Sequence, residues 1–159
     1  MVRYFSLIFV FCSCYTSAFA ENISDRDKIT SQTELVLVTF DPNCAIALNS
    51  IELRKLFLGL RISKNKHVFT PLRNKTSEKL DTLFIQSIMA MSPRSYERRM
   101  IRSTFQKGHP IPDAYHNLKD LFEALKQKPC SISYSWAHQT RQFPHLKIIQ
   151  TLWSGLLKN

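Results

Sequence analysis

The run ELVLVTF, residues 34–40, followed by DPN at 41–43 and then by NSIELRKLFLGL at 49–60, sets the reading of this chain. Seven residues rich in valine and leucine, bounded by polar residues and closed by Asp41-Pro42, predict a buried strand. After the turn, Ser50 is the expected N-cap of a helix with Ile51, Leu53, Leu56, Phe57 and Leu60 at helical spacing, stopped at Gly59. A strand handed directly to a helix is the repeating unit of an α/β layer architecture.

Moving outward, HVFTPL at 67–72 predicts a second strand. A helix is expected from Ser77 to about Ala90, because Leu80, Leu83, Phe84 and Ile88 recur at intervals of three and four. Ser92-Pro93 opens another helix, since serine caps well and proline is tolerated in the first turn; this helix has Tyr96, Met100, Ile101 and Phe105 on one side. Gly108, Pro110 and Pro112 then break the chain. Residues 117–127 form a further amphipathic helix capped by Asn117, CSISYSW at 130–136 alternates as a strand, and HLKIIQTLW at 145–153 holds a last one. Three to five strands, in a mixed or parallel sheet flanked by helices, are what this length supports.

The first twenty residues stand apart from that domain. MVRYFSLIFVFCSCYTSAFA has one basic residue, an apolar run from Tyr4 to Cys14, and Ala18-Phe19-Ala20, the small-x-small pattern of a secretory cleavage site. The run falls short of the roughly 20 apolar residues that span a bilayer. The expectation is a signal peptide at 1–20 cut after Ala20, a polar arm at 21–33, a single α/β domain at 34–159, and a periplasmic location. Without Arg3 the chain keeps 21 basic against 12 acidic residues, a net charge of +9. Outside the cytoplasm such an excess points to a small anion, an acidic protein face or a headgroup surface, and away from nucleic acid. Cys44 and Cys130 remain after cleavage, and since two thiols in an oxidising compartment most often pair, a Cys44–Cys130 disulfide is expected, with two buried free cysteines as the alternative.

The order of these parts resembles the type II periplasmic binding protein fold, and among its members the small exported proteins similar to the phosphate-binding component of phosphate ABC transporters. The resemblance rests on VLVTFDPN, on Leu56-Phe57-Leu58-Gly59 closing a helix, on a strand running into Arg73 and a hydroxyl-bearing helix start at Thr76 and Ser77, and on the late strand from Cys130 to Tyr134. It covers residues 34–136, about one lobe of a two-lobed binding protein.

It implies a non-enzymatic solute-binding domain holding a small, phosphate-like oxyanion. A helix N-terminus offers unpaired amides, Arg73 a planar fork, and Thr76 and Ser77 hydroxyls, with Asn43, after the first strand, as a further donor. A turn role for Asp41-Pro42-Asn43 is the plainer alternative. Glu78, inside the first turn, competes for the same amides. A lone lobe lacks the opposing wall that buries a ligand, so a homodimer or a partner would have to supply it. The alternative function is an interaction or sensory accessory module that docks on a membrane transporter or sensor through Arg94, Arg98, Arg99 and Arg102, the densest charge cluster in the chain.

The five histidines are scattered without HxxH or HExxH spacing, so no metal is assigned. Neither a nucleophile with its base nor a glycine-rich phosphate loop is legible, the chain having three glycines. No catalysis and no cofactor are expected.

Overall fold

The computed structural model describes residues 33–156; the expected signal peptide and all but the last residue of the polar arm lie outside them. Strand β1 spans Thr33–Thr39, with five consecutive buried residues. Helix α1, Ser50–Phe57, is capped not by Ser50 but by Asn49, whose side chain accepts the Glu52 amide while Glu52 returns a carboxylate to the Asn49 amide. This reciprocal capping box satisfies two amides that a serine cap one residue later would leave to water.

The second strand divides. Ser63–Lys64 (β2) and His67–Val68 (β3) form a small hairpin of their own. Its two loop residues, Asn65 and Lys66, have φ of 51° and 68°, the positive pair that a type I′ turn requires. The main sheet resumes at β4, Thr70–Asn74. Helix α2, Glu78–Phe84, runs into a π-helical turn over Ile85–Met89 and stops at Ala90, which is left-handed. Helix α3, Pro93–Lys107, starts on the Ser92 cap with proline in its first turn and ends at left-handed Gly108. A short strand absent from the sequence reading, β5 at Asp113–Tyr115, precedes α4, Leu118–Gln127, capped by Asn117. Strand β6, Ser131–Trp136, one short helical turn, α5 (Ala137–Thr140), and β7, Lys147–Gly155, complete the described chain.

Five strands form one mixed sheet in the order β5-β4-β6-β1-β7. β4 is parallel to both β5 and β6, whereas β1 runs antiparallel to β6 and β7. The expected α/β class and strand count agree with this arrangement.

Both sheet faces are covered. Leu35, Leu37, Ile132 and Tyr134 pack against α1, α2, the π turn and α3, with Phe84 stacked on Tyr134 at 3.8 Å between ring centroids. Val36, Val38 and Leu72 on the other face meet Leu121, Phe122 and Leu125 of α4. The alternation expected for β6 holds, but its polar half is as buried as its apolar half. Ser131 Oγ donates to the Leu125 carbonyl and Ser133 Oγ to that of Leu72, so small hydroxyls sit beneath α4 with their hydrogen bonds made.

On α3 only Tyr96 and Met100 of the expected apolar side are buried; Ile101 is 48 % exposed and Phe105 86 %. The inward stripe passes through 96 and 100. A residue one step beyond an inward position is turned about 100° around the helix, which puts Ile101 and Phe105 outside.

Candidate functional site

The antiparallel direction of β1 separates the residues that the sequence reading placed around one anion. The carboxyl end of β4, with Asn74 and the start of α2, lies at one end of the sheet. The carboxyl end of β1, with Asp41, Pro42 and Asn43, lies at the other, because Val38 pairs with Ser133 while Leu35 pairs with Trp136. Asn43 therefore does not join Arg73, Thr76 and Ser77. It occupies a short 3₁₀ turn in which its amide donates to Asp41 Oδ1 at 3.0 Å.

Arg73 is 3 % exposed. Its Nη2 donates to Glu97 Oε1 at 2.9 Å and reaches Asp81 Oδ2 at 3.5 Å, while the guanidinium lies 4.8 Å from the centre of the Tyr96 ring. Burial disfavours the charge, but Tyr96, Glu97 and Asp81 outweigh that and hold the Arg73 pKa above its ordinary value. Asp81 is shared: its other oxygen accepts from the Tyr134 hydroxyl at 2.6 Å. Burial first, then Asp81, pushes the Tyr134 phenol well above its ordinary pKa. Lys75 Nζ joins from the rim, 3.3 Å from Glu97 Oε1. Both carboxylates near Arg73 are thus committed to the protein's own cations.

Thr76 and Ser77 are likewise engaged. Thr76 Oγ1 donates to Asn74 Oδ1 at 2.7 Å, Asn74 Nδ2 donates to the Tyr134 carbonyl, and Ser77 Oγ caps α2 by accepting the Leu80 amide. The stretch 73–77 thus forms a self-contained network joining β4, β6, α2 and α3.

The basic residues of α3 are differently placed. A groove of about 820 Å³ runs between the carboxyl end of α1 and α3, lined by Lys55, Arg98, Arg99, Arg102, Lys107 and His109 among others, with no carboxylate in its wall. Among the described residues none of Arg98, Arg99 and Arg102 forms an ion pair. Arg94 is exposed on the same helix but outside the groove. Leu58 and Leu60 add apolar surface to the groove, and α3 also carries exposed Phe105, outside the lining. Sequence reading found the arginines; it missed Lys55, Lys107 and His109, which only the packing of α1 on α3 brings to them.

A third cluster gathers at the end of the sheet opposite Arg73. Cys44 and Cys130 form a disulfide across 86 residues of sequence, with Cα atoms 5.2 Å apart. His67 Nδ1 lies 3.5 Å from Cys130 Sγ, and Asp41 Oδ2 lies 3.5 Å from Cys44 Sγ and 3.8 Å from Cys130 Sγ. Cys130 has φ of 49°, a left-handed backbone uncommon for a residue with a Cβ. Its carbonyl accepts from the Thr70 amide, and its own amide donates to Asp41 Oδ2.

The chain matches no protein-family model and none of the curated proteins. What stands is the architecture: an α/β domain on a mixed five-stranded sheet with a basic groove on one flank.

Proposed function

We propose that this protein is a non-enzymatic docking module of an exported, binding-protein-like lobe, and that the α1–α3 groove receives an acidic segment of a membrane-protein partner. The observation that carries this reading is the groove wall: five lysine and arginine side chains and no acid. Clustered cations without internal partners repel one another, which an anionic guest relieves, and they accelerate encounter with it at low ionic strength. Phe105, 86 % exposed on α3, is an apolar anchor of the kind that dominates interface energetics.

The oxyanion reading at Arg73, Thr76 and Ser77 draws less support. The guanidinium is 3 % exposed, which leaves an incoming anion little access, and Asp81 and Glu97, both paired with its Nη2, would repel a third anion.

The test is fluorescence anisotropy of a labelled poly-glutamate peptide titrated with residues 21–159, across a salt series. Binding that weakens steeply with salt, and is lost when Arg98, Arg99 and Arg102 are reversed to glutamate, is the expected result. Equal binding by the reversed protein overturns the groove assignment. Inorganic phosphate titrated by calorimetry is the parallel arm: heat that Arg98, Arg99 and Arg102 reversal leaves intact, but Thr76→Ala with Ser77→Ala removes, would return the function to the oxyanion site.

A further inference from the structure

We propose that Cys44, His67 and Cys130 form a redox-gated metal site: oxidised, the two cysteines are the disulfide; reduced, the three side chains hold one thiophilic cation of tetrahedral preference, for which Zn²⁺ is the probe. The three donor atoms lie within 4.8 Å of one another. A tetrahedral zinc ion, with bonds of about 2.3 Å to sulfur and about 2.0 Å to nitrogen, sets its sulfur and nitrogen ligands roughly 3.5 Å apart. His67 Nδ1 and Cys130 Sγ already stand at 3.5 Å. Two sulfurs on such an ion sit roughly 3.8 Å apart, so reduction must let the side chains of the two cysteines, whose Cα atoms are 5.2 Å apart, turn away from one another.

Three separate pieces of chain are brought to this point by independent devices. The 3₁₀ turn after β1 carries Cys44 and buries it fully. The positive-φ turn of the β2–β3 hairpin delivers His67, which is only partly buried and leaves an approach from solvent. Cys130 is fixed in its left-handed conformation through Asp41 and Thr70. Asp41 Oδ2 lies against both sulfurs but outside the three-donor group.

The chemistry balances. A dithiol reductant delivers two electrons and two protons to the S–S bond, leaving two protein thiols and its own disulfide. Zn²⁺ then displaces both thiol protons to solvent while His67 binds as neutral imidazole.

Protein reduced anaerobically with a phosphine is titrated with Zn²⁺ by calorimetry and with Co²⁺ by absorption spectroscopy. The expected outcome is one ion per chain, a thiolate-to-cobalt charge-transfer band, and at least tenfold weaker binding by His67→Ala. Disulfide-bonded His67→Ala should keep the wild-type melting temperature, separating ligation from folding. Should reduction unfold the chain, Zn²⁺ is expected to refold the wild type and not His67→Ala. The proposal is overturned if reduced wild type binds no more tightly than Cys44→Ser/Cys130→Ser, if the oxidised protein binds as well as the reduced, or if zinc fails to refold an unfolded reduced chain.

Discussion

Arg73 Nη2 donates to Glu97 Oε1 across 2.9 Å, tying the end of β4 to the second turn of α3. The bond joins an arginine that is 3 % exposed to a glutamate whose side chain is 42 % exposed, so the pair runs from core to surface. Removing either partner has different consequences.

Arg73→Ala leaves Asp81, with a side chain 14 % exposed, facing the Tyr134 hydroxyl without its cation. Losing one member of a buried ion pair costs about 3 kcal/mol. Urea unfolding of the variant should show a lower midpoint with an unchanged slope.

Glu97 supplies a pH dependence. Burial raises its pKa, but the Arg73 hydrogen bond and charge, with Lys75, outweigh that and hold it below its ordinary value of 4.5. The unfolded chain therefore binds the proton more readily. Glu97 contributes stability that is present above about pH 4.5 and lost as pH falls through the lower folded value. The gap in melting temperature between wild type and Glu97→Gln should be full at pH 6 and should close on acidification below the ordinary carboxylate range.

Tyr96 is fully buried, and its hydroxyl donates to the Phe57 carbonyl at 2.6 Å, fastening α3 to the carboxyl end of α1. Tyr96→Phe leaves that carbonyl without this donor and should cost about 1–2 kcal/mol. Because the same hydrogen bond joins the two helices that wall the basic groove, poly-glutamate affinity should fall with it.

Gly59 has φ of 84°, and a Cβ there would stand 2.1 Å from the Pro110 carbonyl oxygen. Gly59→Ala combines an unfavourable backbone with a clash against another backbone, so calorimetric melting should fall by more than the roughly 1 kcal/mol that a left-handed conformation alone costs.

Cys44→Ala/Cys130→Ala removes a cross-link over 86 residues. In the chain-entropy picture the stability lost is about 4.6 kcal/mol, to be read in denaturant melts without reductant.

Legibility varied with the range of the interaction. The cap at Ser92, the Asn117 cap, the buried run of β1 and the alternation in β6 all depend on neighbours within a few residues, and composition alone displays them. Asn49 displaced Ser50 as a cap because only Asn49 has a glutamate three residues on to complete the box. β5 was not legible because three residues between Pro112 and the Asn117 cap carry no period; pairing with β4 makes them a strand. Ile101 and Phe105 were misassigned since apolar character does not say which side of a basic helix the core will occupy.

By itself the sequence determined the α/β class, the capped helices, and the presence of a basic helix and two cysteines, because periodicity, capping and charge are local properties. Only the tertiary structure decided that Arg73 is spent on Asp81 and Glu97, that Asn43 lies at the opposite end of the sheet, and that His67 meets Cys44 and Cys130. The reason is strand direction. Whether β1 runs with or against β6 is fixed by which hydrophobic faces can be buried together, a sum over the whole fold that no short stretch of residues contains.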